Sequence, residues 1–86
     1  MEAIELENKI QELLSELTPT QFELIDESHQ HIGHRGVLER GGRHYSLIIS
    51  SPKFEKLNLV QSHQLIYELL QDLMKKEIHA LKIKIK

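Results

Sequence analysis

His29, His31, His34 and His44 fall in or beside one glycine-rich connection, and His79 opens the last apolar run, in a chain that has six histidines and no cysteine. Imidazole is a good ligand for borderline metals such as iron and zinc, so this gathering without thiolates points to metal chemistry. The His-x-His-x-x-His spacing of His29, His31 and His34 also permits zinc, but it comes with neither a fixed scaffold nor a clear carboxylate partner. Enzymatic chemistry finds no footing: no nucleophile motif, phosphate loop or paired-acid arrangement accompanies the histidines, and Ser28 beside His29 has no positional meaning by itself. Asp26 and Glu27 are adjacent, so on a strand they face opposite ways and form no carboxylate dyad. They read as strand-end and loop-entry residues, and the expectation is a protein that is not an enzyme.

Elements that must position these residues follow from the hydrophobic pattern. Leu6, Ile10, Leu13, Leu14 and Leu17 recur at helical spacing until Pro19 closes the segment. From Gln21 to Glu27, Phe22, Leu24 and Asp26 alternate with Glu23, Ile25 and Glu27, and from Arg43 to Ser50 the apolar Tyr45, Leu47 and Ile49 share one side, so both stretches read as strands. Residues 28–42 between them hold all four glycines, Gly33, Gly36, Gly41 and Gly42. After Pro52, Asn58 with Gln61 forms a capping-box start to a helix running to Met74. Its apolar stripe is Leu59, His63, Ile66, Leu70 and Leu73, flanked by Val60, Tyr67 and Met74, and Lys75 with Lys76 suits its carboxyl end. Leu81, Ile83 and Ile85 then alternate with Lys82, Lys84 and Lys86, a strand with one wet face.

The order is therefore α-β-β-α-β in a single domain spanning residues 1–86: an α/β fold with a three-stranded mixed sheet and helices packed on one face. The first two strands can pair antiparallel across their connection, and the last needs a parallel crossover. With 86 residues, 40% hydrophobic and 28% charged, there is enough for one modest core. No apolar run approaches the roughly 18 residues that cross a bilayer, so no membrane is expected. Residues 1–17 contain five glutamates and no arginine, which does not fit a targeting signal, and a cytoplasmic home is the default. A net charge of -2 excludes a general nucleic-acid field, though local basic patches remain open.

Taken residue by residue, His79 has the parity of Leu81, Ile83 and Ile85 but starts the strand, a rim position that suits either a ligand or a histidine satisfied by a backbone carbonyl. His44 neighbours the inward Tyr45, so it points to the opposite face and borders the site as structural support. His63 lies in a helical apolar stripe and reads as a hydrogen-bonded core or groove histidine. Contact with nucleic acid through the last helix would rely on Gln61, Ser62, Gln64 and Gln71, with Lys53, Lys56, Lys75 and Lys76 around its ends touching phosphates. No Gly-x-x-Gly clamp links the helices.

Asp26-Glu27-Ser28-His29-Gln30-His31, Arg43-His44-Tyr45, Phe54-Glu55, Leu59-Val60-Gln61-Ser62-His63 and Ile78-His79-Ala80-Leu81-Lys82-Ile83 together resemble the BolA family, in order and in spacing. The resemblance implies a fold like that of class II KH domains and a role beside monothiol glutaredoxins in handling [2Fe-2S] clusters. It also implies an alternative, since some bacterial members look like DNA-binding transcription regulators of morphology and stress response. It points to His79 as one cluster ligand and, from the loop between the first two strands, to His31 as the second, with His29 and His34 as alternatives. Two histidines on one iron also occur in Rieske centres. A chain without thiolates would share the cluster, taking sulfur from the glutaredoxin's cysteine and from glutathione, so that the isolated protein, a monomer or weak homodimer, would hold no cofactor. Lys56 stands where the family usually has glycine, and Ser62 and Gln64 where arginines commonly flank the helix histidine, which weakens family-style contacts to anions. His63, Lys53, Lys56, Lys75 and Lys76 are the candidate contacts to a protein partner or to DNA.

Overall fold

The computed structural model describes residues 2–27 and 43–86, which fold as α1 (Ala3–Leu14), β1 (Gln21–Asp26), β2 (Arg43–Ser50), α2 (Leu59–Leu69), α3 (Gln71–Lys76) and β3 (Ile78–Ile85). The strands form one mixed sheet in the order β1-β2-β3, with β1 antiparallel and β3 parallel to the central β2. Leu6, Ile10 and Leu14 repeat on one side of α1 and are buried. They meet Tyr45, Leu47 and Ile49 of β2 and Ile66, Leu70 and Leu73 of the later helices in one core. Each such aliphatic side chain, moved wholly out of water, contributes about 1.5–3 kcal/mol. The helices of the described residues therefore cover one face of the sheet, and Lys82, Lys84 and Lys86 stay exposed.

A turn of 3-10 helix, Ser15–Leu17, ends the first helical segment, and Thr18 follows in the left-handed region at φ 45. There its amide donates to the Ser15 carbonyl (2.9 Å), the position glycine or asparagine usually takes. Ser51 ties this corner to the end of β2: its hydroxyl donates to the Leu17 carbonyl and accepts from the Lys53 amide, which starts the 3-10 turn Pro52–Phe54. Asn58 and Gln61 cap α2 reciprocally, at 2.8 and 3.0 Å.

Two features differ from the sequence reading. The expected continuous helix to Met74 is bent at Leu70, whose backbone (φ -100, ψ 9) separates α2 from α3. Neither proline nor glycine causes the bend. The amides of Leu70 and Met74 still donate to the carbonyls of Ile66 and Leu70, and Leu70 and Leu73, three apart on one helical face, are both in the core. Within α2 the stripe begins later than the pattern implied: Leu59 and Val60 are 63% and 64% exposed, whereas Ser62 is buried and bonds the Asn58 carbonyl at 3.0 Å. A side chain turned into its own helix cannot read a duplex, so Ser62 drops out of the nucleic-acid set.

Candidate functional site

Three strand ends converge at one end of the sheet: the last residue of β1, Asp26, and the first residues of β2 and β3, Arg43 and Ile78. Both ends of the 28–42 segment are anchored here. The Glu27 amide donates to the His44 carbonyl (2.8 Å), and the Arg43 amide to the Glu77 carbonyl (3.2 Å). Glu27 and Arg43, which flank the segment holding His29, His31 and His34, therefore both stand at the end of the sheet at which His79 stands. Those three residues lie outside the described residues.

His79 owes its position to a break in the β2–β3 register. Arg43 pairs with Ile78 but His44 pairs with Ala80, so β3 contains one extra residue, a β-bulge. Ile78 and Leu81 consequently both point into the core, although they are three apart and a regular strand would send them to opposite faces. His79 does not share the core parity of Leu81, Ile83 and Ile85 that its spacing implied; it is exposed. Its ring lies 4.9 Å from that of His44, centroid to centroid, tilted by 41°, within the range of aromatic contact. His44 alternates with the buried Tyr45 and so occupies the open face, where its Nε2 is excluded from solvent. One imidazole is thus presented outward and the other braces it.

Charged groups fix the surroundings. On the open face Glu27 accepts a hydrogen bond from the Ser46 hydroxyl (2.7 Å) and lies 3.6 Å from the Lys82 ammonium. On the core side the Arg43 guanidinium meets Asp26 at 3.1 Å. The two carboxylates face opposite ways, as strand alternation requires. Burial, followed by the nearby carboxylates of Asp26 and Glu7 and partly offset by Arg43, pushes the Tyr45 hydroxyl up to about 12. The Glu27–Ser46–Lys82 group escaped the sequence reading because its members come from the residue after β1, from β2 and from β3, and share a face only once the register is known. The bulge left a signal, since Ile78 is an apolar residue out of phase with Leu81.

Among the described residues no group of three or more His, Cys, Asp or Glu is arranged to hold a metal ion. His79, exposed and braced, fits a ligand that contributes one donor to a shell completed elsewhere. The remaining candidates lie apart. His63 belongs to the helical layer, across the sheet from His44; it is partly buried, and its Nε2, expected to be hydrogen-bonded, finds no partner among the described residues. Lys75 and Lys76 close α3 just before His79, with Lys75 3.7 Å from Asp72. Lys53 and Lys56 precede α2, and the Lys53 ammonium donates to the Glu16 carbonyl (2.8 Å). Lys53 with Lys56 and Lys75 with Lys76 stand at opposite ends of the α2–α3 segment, which at 1.5 Å per helical residue spans at most roughly 25 Å. No helix of the described residues is long and apolar enough to cross a membrane.

A sequence model of a family described as BolA-like protein matches residues 13–86. Among curated proteins, SufE-like protein 1, chloroplastic/mitochondrial, from Arabidopsis thaliana is 43% identical over 77 residues, covering 85% of this chain and 21% of that protein. Protein BOLA1, chloroplastic, from the same plant is 39% identical over 75 residues, covering 85% and 47%. The chain thus spans less than half the length of these two relatives. The DNA-binding transcriptional regulator BolA of Haemophilus influenzae is 37% identical over 76 residues, covering 88% of this chain and 67% of that one. Among solved structures, the BolA domain of SufE1 from Arabidopsis thaliana superposes with a TM-score of 0.77 at 39% identity, covering 100% of this chain and 93% of that one. BolA1 from Mus musculus gives 0.74 at 30% identity, covering 94% and 63%.

Proposed function

The chain belongs to the BolA family, and from that premise we propose that it is a non-enzymatic partner of a monothiol glutaredoxin, sharing a [2Fe-2S] cluster for assembly, trafficking or iron sensing. What supports this above all is the exposed His79 imidazole, pushed out of the core by the β-bulge and braced by His44, at the sheet end where the 28–42 segment is anchored. His79 supplies one nitrogen, and His31, with His29 and His34 as its alternatives, supplies the second. The glutaredoxin's cysteine and glutathione bring the thiolates that this chain lacks. The cluster itself supplies one-electron redox chemistry or is passed on as cargo. His44 restricts the swing of the His79 ring, and the Glu27–Ser46–Lys82 group holds the strand ends from which the loop departs.

Coexpression with a monothiol glutaredoxin tests this reading. A coloured complex is expected to copurify, and His79→Ala is expected to change its visible absorption and circular dichroism; spectra identical to wild type contradict the assignment. The Haemophilus influenzae relative, named as a DNA-binding regulator, favours a second reading in which the chain binds DNA through Lys75 and Lys76 beside the sheet end. Fluorescence anisotropy with duplex DNA separates the two, because binding that ignores sequence and vanishes at moderate salt is phosphate contact alone.

A further inference from the structure

The face of the sheet turned away from the helices carries charge in an ordered way. Across the strands, Glu23 of β1 is in register with Ile48 of β2 and Lys84 of β3, and Ile25 with Ser46 and Lys82. Acid thus lies along the β1 edge and base along the β3 edge, with Ile25 on the acidic edge beside Glu23 and Ile48 between the two edges. Beside them is a hollow of about 290 Å³ floored by β2 and β3 and rimmed by Lys82 and Lys84. Ile25 is 40% exposed, and no helix of the described residues covers it. Lys82 has Glu27 within 3.6 Å. Glu23 and Lys84, by contrast, sit two strand spacings apart, about 10 Å, beyond ion-pair reach within one copy.

We propose that this face pairs with the same face of a second copy of the chain, about a twofold axis parallel to the strands and passing over Ile48. That rotation exchanges the two edges while keeping each register row at its own level. Glu23 of each copy then faces Lys84 of the other, and the two Ile48 side chains meet on the axis. The other face-to-face twofold, with its axis across the strands, lays β1 over β1 and sets acid against acid, so the charge pattern selects one arrangement. Sheets stacked face to face keep their strands within about 30° of each other, which is compatible with the selected axis. A three-stranded face roughly 20 Å long and 15 Å wide buries on the order of 600 Å² in total, below the 1,200 Å² of a stable complex. The pairing is therefore weak and concentration-dependent, and both copies carry their His79 ends in the same direction.

Sedimentation velocity of the full chain from about 20 μM to about 1 mM, the range over which such an interface dissociates, tests this pairing. The wild type is expected to pass from monomer towards dimer, less readily as salt screens the rim pairs. Glu23→Lys alone sets lysine against lysine, and Lys84→Glu alone sets glutamate against glutamate. Each changes both symmetry-related contacts and is expected to weaken association about tenfold or more. Mixing the two variants restores complementarity in a heterodimer, so association is expected to recover in the mixture. Far-UV circular dichroism confirms that both variants remain folded. A wild type that stays monomeric at about 1 mM overturns the proposal, whether the face is then covered by a glutaredoxin or by nothing; so do single variants that associate like the wild type, or a mixture that does not recover.

Discussion

Tyr45 offers a stability measurement with a definite sign. Its side chain is 1% exposed, and burial together with the Asp26 and Glu7 carboxylates raises its pKa from 10.0 to about 12. Between these values the unfolded chain has lost the phenolic proton while the folded chain keeps it, so stability falls as pH rises. It falls by at most about 1.4 kcal/mol per pH unit. Integrated for this single group, the loss is about 0.4 kcal/mol at pH 10 and about 1.4 kcal/mol at pH 11. Tyr45→Phe removes the titration and leaves the packing ring. Urea unfolding at about pH 8 should place the two proteins within about 1 kcal/mol of each other. By pH 11 the phenylalanine variant should have gained about 1.4 kcal/mol on the wild type. Every other group is common to both proteins and cancels in the comparison. Parallel alkaline limbs would show that Tyr45 is not enclosed among carboxylates as described, and would undo the packing of α1 on this end of the sheet.

Two further substitutions probe the corners that hold the layers together. Asn58→Ala removes one half of the reciprocal cap at the start of α2 and should lower stability by about 1 kcal/mol in urea, with Asn58→Asp retaining most of it. Thr18→Asn places a residue better suited to φ 45 at the turn into β1 and should raise the denaturation midpoint by an amount equivalent to about 0.5–1 kcal/mol; a lower midpoint would mean that the Thr18 hydroxyl bond to the Leu17 carbonyl outweighs the backbone strain.

Which parts of this were legible beforehand follows from the range of the forces involved. Period and capping are local: Leu6, Ile10 and Leu14 declare α1, Tyr45, Leu47 and Ile49 declare β2, and Asn58 with Gln61 declares the start of α2, each within a few residues. The opposite orientation of Asp26 and Glu27 and the open-face position of His44 likewise need only strand alternation. Ser62 misled because serine in a helix reads as surface, whereas its hydroxyl returns to the Asn58 carbonyl and lets the side chain be buried. The bend at Leu70 carries no proline or glycine to announce it, and the i, i+4, i+7 spacing of Ile66, Leu70 and Leu73 reads as one continuous stripe across it. Register is the least local property. The Glu27–Ser46–Lys82 group and the Glu23–Ile48–Lys84 row exist only because three distant segments align.

The bulge at His79 shows why a structural and a functional requirement do not compete at this end of the sheet. In a regular strand either Ile78 or Leu81 would face water, because they are an odd number of residues apart. One extra residue turns both inward, at 2% and 8% exposure, and the residue expelled is the histidine. The gain from burying a second aliphatic side chain, about 1.5–3 kcal/mol, therefore stabilises the backbone that presents the imidazole, and the imidazole itself contributes little to the core. His79→Ala should accordingly change unfolding free energy by no more than about 0.5 kcal/mol, as for an exposed site, while Ile78→Ala should cost about 2–5 kcal/mol. Measured together by urea unfolding, the pair separates presentation from ligation. An altered spectrum of the glutaredoxin complex with an unaltered denaturation midpoint assigns His79 to the cluster, and a destabilised His79→Ala protein would mean that the side chain packs in the fold and that the bulge does not expel it.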